Sequence, residues 1–130
     1  MVIIEEAKPA EEIKSRKAEY MAGVFLWIRP LYANILKGFR DQCTKIAEQA
    51  KYNPKTGKFE SVTEFDSEKY EDLITDYLLD KWEGLGGKDR QPLPVNLNSK
   101  KAILNYLPTR DFVWAFAQSL DTTEAETKNS

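Results

Sequence analysis

One stretch dictates how the rest of this chain can be arranged: Trp82-Glu-Gly-Leu-Gly-Gly87, with Gln91-Pro-Leu-Pro94 close behind it. Three glycines at 84, 86 and 87 cannot continue a helix cheaply. Prolines at 92 and 94 remove two backbone donors and hold the exit extended. The apolar pattern before this stretch and the pattern after Ser99 must therefore fold as separate elements joined by a stiff loop. No reactive group sits in that loop, so Trp82, Gly84, Pro92, Leu93 and Pro94 are candidate protein-contact positions.

The longest periodic pattern begins at Leu31. Tyr32, Ile35, Leu36, Phe39, Cys43, Ile46, Ala47 and Ala50 recur at three- and four-residue steps and predict a helix that is the spine of the core. Arg29 before Pro30 is biased to extended geometry, and Pro30 suits a helical first turn. Upstream, residues 1–9 read as a flexible N-terminus and Ala10–Met21 as a helix of good helix formers. Gly23 breaks that helix, and Val24-Phe-Leu-Trp-Ile28 reads as a short strand or extended segment entering the core, Trp27 included. Asn53–Lys58 is a turn cluster. The alternation of Phe59, Ser61, Thr63 and Phe65 fits a loop or a marginal hairpin, with the loop favoured.

Asp66 is an N-cap, with Phe65 placed for a hydrophobic staple. The helix it opens buries Tyr70, Leu73, Ile74, Tyr77, Leu78 and Trp82 on one face. Asn98 or Ser99 caps a short helix with Ile103, Leu104 and Leu107, which Pro108 stops. Thr109 caps the last helix, whose Phe112, Val113, Phe116, Ala117 and Leu120 face inward. The polar segment 121–130 reads as a disordered C-terminal tail. The expectation is a mainly α fold: a single helical domain over 10–120, a bundle of four to five helices with a short N-terminal strand or extended segment.

The composition excludes several functions. Lys and Arg total 19 against 21 Asp and Glu, with no basic stripe of the kind that holds nucleic acid. There is no histidine, which removes the usual acid–base group and the commonest metal ligand. Ser and Thr therefore have no base to activate them, and no catalytic residue, cofactor or metal site is expected. The lone Cys43 lies on an apolar helix face, as a small buried hydrophobe does, and its solitude fits a reducing compartment. No apolar run approaches the ~20 residues of a membrane span, so a cytoplasmic location is expected, with no membrane partner.

Three features carry both a plain and a functional reading. Asp72, Asp76 and Asp80, spaced four apart with Glu68 on the same line, form either a solvated face or an acidic strip for a basic partner or a weak cation. The solvated face is the simpler. The glycines at 84–87 follow a helix and precede Lys88-Asp89, which reads as a C-cap and not a phosphate loop. Trp114 projects away from the Phe112/Phe116 face, either as an interface anchor or packed against the Pro92–Leu97 loop.

Taken in order, these motifs resemble the tail assembly chaperones of long-tailed bacteriophages, small proteins encoded upstream of the tape-measure protein. The resemblance rests on the apolar run into Ile28-Arg-Pro-Leu31, a helix ending near Ala50 and a variable loop. It continues through Asp80-Lys-Trp-Glu-Gly84, Pro92-Leu-Pro94 and a final helix pair. It covers Val24–Leu120, about three quarters of the chain. It implies a non-enzymatic protein of the bacterial host cytoplasm that self-associates and binds the tape-measure and major tail-tube proteins during tail morphogenesis. It also implies, for many members, a frameshifted longer form. Some relatives have an N-terminal β-hairpin, for which a helix over Ala10–Met21 leaves little room. The alternative is a small helical phage-derived regulator or adaptor, against which the mixed or acidic outer faces count. An enzyme subunit without its own active site is a third reading.

Overall fold

The computed structural model describes residues 6–46, 51–60 and 63–129, with side chains at 6–45, 52–59 and 63–119. It corrects the mainly α expectation: the described residues form a mixed α/β fold with four α-helices and three small antiparallel sheets.

The largest departure is at the N-terminus. Ala10–Glu12 is one 3-10 turn, and the rest of the expected first helix is strand β1 (Arg16–Met21). It turns at Ala22–Gly23 into β2 (Val24–Ile28), with Met21 opposite Val24. Gly23 takes φ 81°, which a glycine adopts freely. Lys, Ala and Glu are good helix formers, but propensity is a weak prior beside the pairing offered by Val-Phe-Leu-Trp-Ile. The register shifts at Tyr20, a bulge that leaves its ring on the core side, edge-on to Phe112 at 5.1 Å.

Helix α1 (Ala33–Cys43) starts three residues after Pro30 and ends before Ala50. Beyond Cys43 the chain becomes β3 (Thr44–Ile46), then β4 (Lys51–Asn53) and β5 (Lys58–Glu60) about the Asn53–Lys58 turn, then β6 (Thr63–Phe65). β4 pairs with β5, and β3 with β6. The expected loop is thus a hairpin arm. Ala47, Ala50 and Ser61 lie outside the described residues.

Helix α2 (Ser67–Leu78) starts as its sequence predicts: the Asp66 side chain accepts from the Lys69 N–H at 3.0 Å. The Phe65 and Tyr70 rings meet edge-on at 5.4 Å, forming the expected staple. The helix stops four residues early. Leu79–Glu83 is β7, the third strand of the order β1-β2-β7, and it carries Trp82 opposite Leu26. Leu78 and Leu79 are both fully buried, one under the helices and one on the sheet. The switch from helix to strand comes with the pairing: Leu79 stands opposite Ile28, and the ladder with β2 runs on to Glu83.

Helix α3 (Leu97–Asn105) is capped by Asn96, not by Asn98 or Ser99. Asn96 accepts from the Ser99 N–H at 2.9 Å, and Ser99 itself is buried. Helix α4 (Leu107–Asn129) takes Pro108 into its first turn, where a missing N–H costs nothing. Thr109 does not cap it; it is buried, donating to the Tyr20 hydroxyl at 3.1 Å. α4 runs on through 121–129, where a tail was expected. The Leu120 side chain lies outside the described set. The core lies between one sheet face and the helices, and includes Leu26, Ile28, Leu78, Leu79 and Val113. Cys43 is buried, as its place in the pattern predicts.

Candidate protein-interaction site

The structure scatters the residues that sequence grouped. Trp82 is only 8% exposed, on the core face of β7, and its indole N–H has no acceptor among the described residues. It is not at the surface to grip a partner. Gly84 has φ 84°, and a Cβ there would overlap the Gly23 carbonyl oxygen and lie 3.1 Å from the Val24 Cα. Its role is a close crossing of two backbones. The loop after it is a tight hairpin: the Leu93 N–H donates to the Leu85 carbonyl, and the Gly87 N–H to the Gln91 carbonyl. Gly86 bridges Pro92 across it. Leu85 and Leu93 pack on the core, which leaves Pro92, Pro94 and Val95 outward.

The three aspartates do not form one strip. Asp72 and Asp76 lie on α2, and Asp80 falls on β7 because the helix ends at Leu78. Each has a cation: Asp72 with Lys101 at 3.2 Å, Asp76 with Lys100 at 2.9 Å, Asp80 with Arg29 at 3.0 Å. Lys100 is 7% exposed and also donates to the Asp76 carbonyl at 3.1 Å, so it ties α3 to α2. Asp80 sits at a register shift in β7 and also accepts from the Ser15 hydroxyl at 2.8 Å. These acids join elements of this chain more than they offer charge to another. Among the described residues no group of three or more His, Cys, Asp or Glu converges as metal ligands. No described helix is long and apolar enough to cross a membrane.

Beside Asp80, the Arg29 guanidinium donates to the Tyr77 carbonyl at 2.8 Å and lies over the Tyr77 ring. The Tyr77 hydroxyl donates to the Pro30 carbonyl. Burial pushes that phenol up to about 12, only partly opposed by Arg29. The folded state therefore favours the neutral phenol. An unfolded tyrosine releases its proton near pH ~10. The stabilisation should be complete below that pH, decline as pH rises toward about 12, and total on the order of 2–3 kcal/mol. Urea melts at about pH 8 and about pH 11 should show this loss in the native chain and a smaller one in Tyr77→Phe.

Trp114 is half-buried and stands in a groove of about 590 Å³ between α2, α3 and α4. Phe65, Tyr70, Ile74 and Leu104 line it together with Trp114, and so do the charged side chains of Arg40, Arg110, Glu71 and the Asp72–Lys101 pair. Neither arginine has an ion-pair partner among the described residues. No residue of the Gly84–Leu97 loop lines the groove, so Trp114 and that loop are separate surfaces. An aromatic-lined groove of mixed polarity, with two arginines outside any described ion pair against one such acid, Glu71, suits an amphipathic helix that carries carboxylates beside its apolar stripe.

Sequence reasoning missed three things. Arg40 and Arg110 are far apart in the chain, and only the packing of α1 and α4 around α2 brings them to one groove. Trp27 is not core: Phe25 and Trp27 are half-buried on the open sheet face, under the ammonium groups of Lys17 and Lys81. The hairpin arm presents Tyr52 and Phe59, cross-strand partners with rings 5.4 Å apart, and Phe59 is 72% exposed. The Asn53–Lys58 turn cluster and the alternation at Phe59 and Phe65 were the available signals for the arm. No protein-family model, curated protein or solved structure matches the chain.

Proposed function

We propose that this chain is a non-enzymatic tail assembly chaperone that holds a helical segment of a client, the tape-measure protein first, in the Trp114 groove. The observation that carries the reading is the groove itself: aromatic and aliphatic side chains beside two guanidiniums outside any described ion pair, with Glu71 and the Asp72–Lys101 pair also lining it. A long helical client exposes apolar stripes before assembly. Covering them with many modest contacts keeps it soluble without locking it, because linked weak sites multiply. The order of motifs from Val24 to Leu120 supports the same reading. So does the β1–β2 hairpin, which the resemblance implies for some relatives. The paired acids and balanced charge give a nucleic-acid-binding regulator no comparable support.

The test is co-expression with a long helical tape-measure protein, followed by co-purification and assay of the client's solubility. Arg110→Glu and Arg40→Glu should each lower retention of the client at least ~10-fold, about 1.4 kcal/mol, with unchanged melting temperature. Trp114→Ala should abolish retention and also cost about 1–2 kcal/mol of stability, because its ring is half-buried. A shift of duplex DNA in place of client retention, or client binding indifferent to both arginines, would overturn the reading.

A further inference from the structure

The open face of the β1-β2-β7 sheet carries a pattern that points to a second copy of this chain. Register places Lys17, Trp27 and Lys81 in one row across the three strands, and Glu19, Phe25 and Glu83 in the next. The opposite face takes Ala18, Leu26 and Trp82 into the core. Lys17 Nζ lies 4.4 Å from the Phe25 ring centroid and 5.3 Å from that of Trp27, and Lys81 Nζ lies 4.9 Å from Trp27. The six side chains thus share one surface. Among the described residues, Glu19 and Glu83 have no cation within ion-pair distance.

We propose that two copies pair through this face, sheet against sheet, about a two-fold axis that lies in the interface and runs across the strands between the two rows. A dyad across the strands keeps each strand over its own copy and exchanges the rows. Lys17 then meets the second copy's Glu19, Lys81 meets its Glu83, and Trp27 lies over its Phe25. A dyad along the strands instead sets Lys17 against Lys81 and Glu19 against Glu83, which repel. The pattern is self-complementary in one orientation only, as an isologous contact requires. Each lysine exchanges a ring for a carboxylate, and the exposed halves of two aromatic rings leave water. Six side chains a side make a small interface, so the association is reversible and weak. The inference rests on the sheet and not on client binding, and either can fail without the other.

Two charge-reversed chains test it: K17E/K81E, whose face is wholly acidic, and E19K/E83K, whose face is wholly basic. Sedimentation equilibrium should show the native chain dimerising, each reversed chain at least ~10-fold weaker, and an equimolar mixture restoring pairing as a heterodimer. Circular dichroism spectra matching the native chain's confirm that both fold. Restoration in the mixture is the decisive result, because general loss of solubility or structure cannot produce it. A native chain that stays monomeric overturns the proposal. So does self-association that persists in both reversed chains, or a mixture in which the two ignore each other.

Discussion

Gly84→Ala is expected to destabilise the fold by ~3 kcal/mol or more, the sum of a left-handed backbone at a residue with a Cβ and a steric overlap. The φ of 84° alone strains any L-residue. The added methyl would also collide with the Gly23 carbonyl oxygen, a backbone atom in a two-residue hairpin that cannot step aside. Gly23→Ala is the matched control. It has a similar φ of 81° but open space where the methyl would go, so it should cost only about 1 kcal/mol. Denaturant titrations of the two variants give the difference. Equal losses would mean that the β1–β2 turn and the end of β7 do not pass so closely.

Trp82 separates a core role from a binding role. Trp82→Ala should cost about 3–5 kcal/mol, as large aromatic truncations in packed cores do. Trp82→Phe should cost less than about 1.5 kcal/mol. It keeps most of the apolar volume and removes a buried N–H that has no acceptor among the described residues, so lost packing is offset by relief of an unmet hydrogen bond. Chemical melts read both, and the native Trp82 should be poorly accessible to an aqueous quencher. If Trp82→Ala were as stable as the native chain yet failed to retain a client, Trp82 would belong to the interface and the β7 register would be wrong.

The parts of the fold legible in the chain are those governed by neighbours within a few residues. The Asp66 cap and its Phe65–Tyr70 staple were readable because both are matters of three- and five-residue spacing. The apolar face from Tyr32 to Cys43 was readable for the same reason, whereas the glycines at 84–87, read as a helix C-cap, follow strand β7 and open a hairpin, because the helix already ends at Leu78. Strands were not readable. Arg16–Met21 has helix-forming residues and becomes strand only because Val24–Ile28 folds back on it and Leu79–Glu83 pairs on the far side. Val24–Ile28 is apolar at every position, so no period marks which of its residues face water. Trp27 was therefore assigned to the core, although it lies on the open face.

The candidate site divides along the same line. Trp114 was singled out because it departs from its helix's apolar face, a local property. Its groove needed Arg40 on α1, Tyr70 and Ile74 on α2, Leu104 on α3 and Arg110 on α4 to converge. The aspartates illustrate the reverse. Their four-residue spacing reads as one strip only while the helix continues to Trp82; once the strand starts at Leu79, Asp80 turns to Arg29 and Ser15. By itself, then, the order of residues determined the Asp66 cap, the Asn53–Lys58 turn, the apolar face of α1, and the balance of charge and missing histidine that weigh against acid–base chemistry. Packing alone decided which segments became strands, which tryptophan is buried and which cations stand unpaired. Strand pairing and groove formation depend on partners dozens of residues away, whose free energy of contact no local propensity contains.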